Sequence, residues 1–215
     1  MWCIVGCDPD VGGALAVITG HDVGFVDTVR IFDCPTQTLM VNRRPRKRVC
    51  VDGMVALVRE LDLPAGTVAH LEVGGGRSAY NAQTCFVQGA AAGTWHGVLA
   101  SFDFDVRLVA ASTWKWALKL ARRGAPRDKN ESRELANRLF ADVADVADLL
   151  QLKKYHGRAE ALLLAAHGHW AEGNRDMLAT RAGFSACGGG HQAHVEVVGL
   201  QHADPLTGGR SLHET

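Results

Sequence analysis

A chain of 215 residues that is 47% hydrophobic and 21% charged carries enough apolar material for one substantial core, which excludes disordered and fibrous classes. Its 23 basic residues balance 23 acidic ones, so the global positive field of a nucleic-acid binder is absent and any such partner must be held by local patches. The six cysteines show no CxxC pairing and read as reduced thiols, no apolar run reaches the roughly 18 residues of a membrane span, and no signal or transit segment precedes the first strand.

Residues 2–7, 14–19 and 24–34 read as three strands joined by short connections, an antiparallel meander. DGMVALVREL, residues 52–61, opens on Asp52 as N-cap and repeats apolar side chains at helical spacing. TVAHLEV, 67–73, is a fourth strand, followed by the glycine-rich loop GGGRSAYNA. The apolar stretch 83–102 predicts a long helix, 105–109 a fifth strand, and Ser112 the cap of a helix carrying Trp114 and Trp116. RRGAPRDKN, 122–130, reads as a basic linker, with helices expected over 131–140 and 155–171. Beyond Gly173, scattered glycine, histidine and polar residues predict a weakly ordered tail, which leaves one domain over 1–172 and a tail over 173–215. The order βββαβαβα predicts an α/β fold whose sheet is mixed and flanked by helices.

Asp8 ends the first predicted strand, and Asp10 follows beside Gly12 and Gly13; Glu72 falls near the end of the fourth strand, before three glycines. Both strands deliver an acid to the point where core gives way to a flexible loop, the place where α/β sheets gather reactive groups. In KKYHGRAEALLLAAHG, 153–168, His156 and Glu160 are four residues apart and share a helix face, which burial of the apolar run 161–166 would bring onto the sheet. Carboxylates gathered at neutral pH repel one another unless a cation neutralises them, and oxygen donors with one imidazole suit Mg²⁺ or Mn²⁺. Two such ions about 3.5–4 Å apart activate water and stabilise a leaving oxygen, so the chemistry implied is phosphodiester hydrolysis.

Local charge is less even than the total. NRRPRKR, 42–48, holds Arg43, Arg44, Arg46, Lys47 and Arg48; the linker adds Arg122, Arg123, Arg127 and Lys129; the last helix brings Lys153, Lys154 and Arg158. Such runs bind phosphates with an affinity that falls steeply with salt. In the loop after Glu72, Tyr80 can stack on an unpaired base while Arg77, Asn81 and Gln83 can read base edges. Gly89, Gly93 and Gly97 recur every four residues around three alanines, a helix face that another backbone can approach, within the subunit or from a second one.

Five segments together resemble the ribonuclease-H-like nuclease superfamily and, within it, the RuvC-type Holliday-junction resolvases of the plant and algal chloroplast group: GCDPDVGGALAV, LEV at 71–73, ASTWK at 111–115, KNESRELANRLF at 129–140 and KKYHGRAEALLLAAHG. The resemblance spans roughly residues 1–170 and implies a mixed five-stranded sheet flanked by helices. It implies Asp8, Glu72 and Glu160 as metal-binding carboxylates, His156 as a further ligand or its neighbour, Asp10 as an accessory acid and Lys129 as a cation facing the developing phosphorane charge. Bacterial relatives place aspartates in the last helix where this chain has a histidine and a glutamate, so their metal geometry does not carry over. The resemblance further implies Mg²⁺ or Mn²⁺, two ions per site, a homodimer that nicks opposing strands of four-way junction DNA, and a chloroplast location. Two rivals stand beside it: an ATP-handling domain of the actin and sugar-kinase kind, which also opens with an Asp-Gly-rich hairpin but needs a second phosphate loop not visible here, and a catalytically silent DNA-binding module.

Overall fold

In the computed structural model, residues 1–22, 26–74, 81–120, 129–172 and 194–196 are described. β1 (Trp2–Asp8), β2 (Ala14–Gly20) and β3 (Thr28–Asp33) form the antiparallel meander, with Val5 opposite Val17 and Val17 opposite Arg30. β4 (Thr36–Val41) and β5 (Arg44–Val49) pair only with each other, and α1 (Val51–Leu61) follows them. β6 (Val68–Val73) then runs parallel to β1 on the side away from β2; after α2 (Ala82–Ser101), β7 (Asp105–Ala110) runs parallel to β6. The five central strands therefore stand in the order β7-β6-β1-β2-β3, the mixed sheet expected, and β8 (His194–Glu196) lies parallel to the outer edge of β3. α3 (Ala111–Ala117), α4 (Lys129–Leu139), α5 (Val146–Leu149) and α6 (His156–Ala171) complete the described elements.

Strand side chains alternate between the two faces of a sheet, and here the alternation separates two cores. Ile4, Ala14, Ala16, Ile18, Val29 and Ile31 pack with the residues of α4, α5 and α6; Val5, Cys7, Leu15, Val17, Ala69 and Leu71 pack with α1 and α2. The run Leu162 to Ala166 of α6 is wholly buried, which explains its lack of a polar face. α6 reaches the sheet because β1 has no side chain at Gly6: a Cβ there would stand 2.2 Å from the Ala161 carbonyl oxygen and 2.4 Å from the Ala165 nitrogen.

Sequence and structure part company at several boundaries. The segment holding Arg43 to Arg48 is a hairpin rather than a plain basic stretch, turning at Asn42 and Arg43 with φ of 50° and 61°, the paired positive values of a tight two-residue turn. Cys50, with no side-chain bond, caps α1, and Asp52 lies inside its first turn; Ala110 occupies the cap of α3 and Ser112 lies within that helix. Lys129 is the first residue of α4 and not part of a linker, while residues 121–128 and all of 173–215 except 194–196 lie outside the described residues. Among the described residues, no helix is long and apolar enough to cross a membrane.

On the α6 face, His70 of β6 and His167 are buried and their rings meet edge to face with centroids 5.9 Å apart. Burial pulls His167 and His169 down to about 4 from the ordinary 6.5. The folded state thus keeps two imidazoles neutral that the unfolded chain protonates, so their contribution to stability is complete above pH 6.5 and is lost as pH falls toward 4. Two-dimensional NMR of the histidine rings is expected to show both resonances unshifted between pH 7 and pH 5; a midpoint near 6.5 for either would contradict their burial as neutral groups.

Candidate active site

The even-numbered positions of β1 and β6 face α6, so the same alternation that buries Ile4 and Gly6 under the helix turns Asp8 toward it, and that which turns His70 inward turns Glu72. β1 and β6 are parallel neighbours with Cys7 beside Leu71, which sets Asp8 and Glu72 side by side where the two strands end. Glu160 stands one turn into α6, whose start packs on the first loop: a Cβ at Gly157 would meet the Gly12 carbonyl oxygen at 2.2 Å. Three acids from residues 8, 72 and 160 are thereby brought to one end of one core.

Electrostatics reports their proximity. Burial pushes the Asp8 carboxyl well above the usual range, and the charges of Glu72, Glu160 and Asp10 push it further in the same direction. Burial raises Glu72 also; the Lys115 ammonium opposes this and Glu160 adds to it. The loop is shaped around the first acid: the Asp10 amide donates to Asp8 Oδ1 at 3.4 Å, and a Cβ on Gly13 would lie 2.8 Å from the Asp8 carboxyl carbon. Glycine after the strand is therefore a requirement of space beside a half-buried acid.

Two residues without an assigned role in the sequence reading organise the site. α3 leaves the end of β7, next to the Glu72 strand, and delivers Trp114, fully buried, whose Nε1 donates to Glu72 Oε2 at 2.7 Å. The next residue, Lys115, donates from Nζ to Glu160 Oε1 at 2.9 Å, and Ser132 of α4 donates to the same oxygen at 3.5 Å. Lys115 is a cation inside an acidic cluster, with its side chain only 15% exposed, so it neutralises part of the repulsion directly. Among the described residues, no three carboxylate, imidazole or thiol groups are drawn into a ready cage for an ion. Glu72 and Glu160 point instead to Trp114 and Lys115. The donor set nevertheless fits a hard divalent cation: three carboxylates, two of them raised by burial, lack a full complement of positive charge.

The remaining candidates fall into groups. Asp10 borders the site and adds its charge to Asp8; His156 opens α6 at the same end, but its ring does not enter the bonds holding Glu72 or Glu160. Arg158 is engaged: its Nε and Nη2 donate to the two Asp33 carboxylate oxygens at 2.6 and 2.7 Å, which ties α6 to the end of β3. Asn81 caps α2, its Oδ1 accepting from the Thr84 amide at 2.8 Å. Lys154 lies exposed with its ammonium 5.1 Å from the Tyr155 ring centre. Arg43, Arg44, Arg46, Lys47 and Arg48 lie on the hairpin, and Gln83 on the first turn of α2. Arg77, Tyr80, Arg122, Arg123 and Arg127 lie outside the described residues, as do the side chains of Lys129 and Lys153.

No protein-family model matches the sequence, and no curated protein does. Among solved structures, the chain is similar to a Thermus thermophilus RuvC structure, with 17% identity and a TM-score of 0.46 over 79% of this chain and 95% of that one. It is also similar to T. thermophilus RuvC in complex with a Holliday junction substrate, with 16% identity and a TM-score of 0.45 over 80% of this chain and 96% of that one. Likeness at this level bears on neither activity nor partner.

Proposed function

We propose that the chain is a divalent-metal-dependent endonuclease that resolves four-way DNA junctions by paired nicking. The observation that carries the reading is the convergence of Asp8, Glu72 and Glu160, from three separate elements, into one half-buried and mutually repelling cluster. Such an arrangement costs stability in a protein that does nothing with it. Asp8, Glu72 and Glu160 would hold Mg²⁺ or Mn²⁺, with His156 beside them; the ions, one or two, supply activation of water and stabilisation of charge on the leaving oxygen. Trp114 fixes the Glu72 carboxylate and Lys115 holds Glu160 while it is uncompensated; Lys129 as the cation facing the developing phosphorane charge rests on the sequence resemblance.

Paired nicking asks for two copies, and α2 supports that part of the reading. Gly89, Gly93 and Gly97 are exposed, and a Cβ added to any of them would meet nothing within 4 Å. At about 100° per residue they lie on the side of the helix opposite Ala91, Trp95 and Val98, so packing among the described residues does not account for them. Phe86, 71% exposed, extends the same face. A second copy docking there is the occupant proposed. Membership of the chloroplast resolvase group, and a chloroplast location with a part in genome segregation, rest on the sequence resemblance of GCDPDVGGALAV and KKYHGRAEALLLAAHG.

The test is a labelled mobile four-way junction incubated with the native chain and Mg²⁺, beside a chelator control and Glu72→Gln. Symmetric nicks that need the metal and vanish in Glu72→Gln are expected. ATP turnover without nicking would replace this reading with the kinase-like one, and binding without cutting would leave a silent module.

A further inference from the structure

The β4–β5 hairpin stands outside the main sheet, and its register divides its side chains between two faces. Arg44, Arg46 and Arg48 pair with Val41, Leu39 and Gln37, so all three arginines share one face at steps of about 6.7 Å along the strand. That face forms one wall of an open cleft of about 670 Å³, whose other wall is the first two turns of α2, including Gln83, Thr84 and Gln88. Among the described residues, no acid lines the cleft and none of the three arginines is paired with a carboxylate. The positive end of the α2 dipole adds to the same sign of charge.

Three uncompensated guanidiniums in a row, rather than converging on a point, match a ligand whose negative charge is itself a row. We propose that this cleft clamps the phosphate backbone of a duplex DNA arm, with Arg44, Arg46 and Arg48 contacting every second phosphate of a strand and the Gln83 and Gln88 amides reaching the same backbone. The spacing agrees: a DNA strand rises about 3.4 Å per nucleotide, so two steps of it span the distance between neighbouring arginines of the row. Arg43, in the turn, and Lys47, paired with Thr38 on the opposite face, belong to a different surface. The clamp rests on the nuclease reading, because it supplies the arm while the acids act on the crossover. It contacts phosphate and carries no base preference.

The experiment measures binding by fluorescence anisotropy across a salt series, with a labelled linear duplex and a labelled four-way junction, in an Asp8→Asn background so that nothing is cut. Replacing the row with Arg44→Gln, Arg46→Gln and Arg48→Gln together is expected to reduce the slope of log K against log salt by about 2 to 3, at roughly 0.9 per lost phosphate contact, equally for both DNAs. Arg59→Gln, which removes one positive charge from the last turn of α1, is expected to leave the slope unchanged. Circular dichroism of the triple variant checks that the fold is intact. An unchanged slope in the triple variant, or an equal change in Arg59→Gln, overturns the clamp. Junction nicking by the native chain, measured separately, tells such a failure apart from failure of the nuclease reading, and a chain that binds neither DNA overturns both.

Discussion

Asp8→Asn is expected to lower junction nicking by on the order of a thousandfold or more while raising the melting temperature of the metal-free protein. The two effects have one cause. Asn keeps the shape of the side chain and removes a half-buried charge beside Glu72, Glu160 and Asp10. A carboxyl whose proton affinity is raised by folding stabilises the native state only when protonated, so its cost is absent below the ordinary value of 3.8 and grows as pH rises above it. Asn escapes that cost, by about 1 kcal/mol or 2–4 °C, typical of replacing a strained functional group. The gain should shrink toward zero as the pH of the melt is lowered to 4. Scanning calorimetry in chelator at several pH values reads it directly; an Asp8→Asn protein no more stable than native at neutral pH would mean that the acids do not repel one another as described.

Gly6→Val should be the most damaging single change to the fold. The added carbon meets the Ala161 carbonyl oxygen and the Ala165 nitrogen, both backbone atoms of α6 that cannot rotate away. The helix must lift off β1, opening the core that Leu162, Leu163 and Leu164 fill and carrying Glu160 away from Asp8. A loss of about 3 kcal/mol or more follows, roughly 6–12 °C in melting temperature for a chain of this size. Gly12→Ala is the matched comparison, because a Cβ there meets nothing within 4 Å and should change stability by less than about 0.5 kcal/mol. Equal melting temperatures for the two variants would contradict the close docking of α6.

The central strands and the acids at their ends were legible because burial on both faces of β1, β2 and β6 leaves apolar runs that stop abruptly at a charge. What the sequence hid depended on distance along the chain or on competing local chemistry. Trp114 lies 42 residues from Glu72 and Lys115 lies 45 from Glu160, and neither bond has a signature short of the fold itself. The hairpin was masked by its composition, since arginine, lysine and proline alternate there with few β-branched residues to mark a strand. Its turn was announced only by Asn42. Asn81 read as a base-edge contact in a glycine-rich loop, and the Thr84 amide three residues on makes it a helix cap. Arg158 read as one more positive charge until Asp33, distant in sequence, turned out to face it.

The claim on which the account stands is that Asp8, Glu72 and Glu160 act as one cation-binding group. Calorimetric titration of Mn²⁺ into chelator-stripped protein tests it without reference to DNA or to cutting. Native protein is expected to bind saturably, and Asp8→Asn, Glu72→Gln and Glu160→Gln each to weaken that binding at least about tenfold. Native protein that takes up no ion, or three variants that bind as the native chain does, would contradict it.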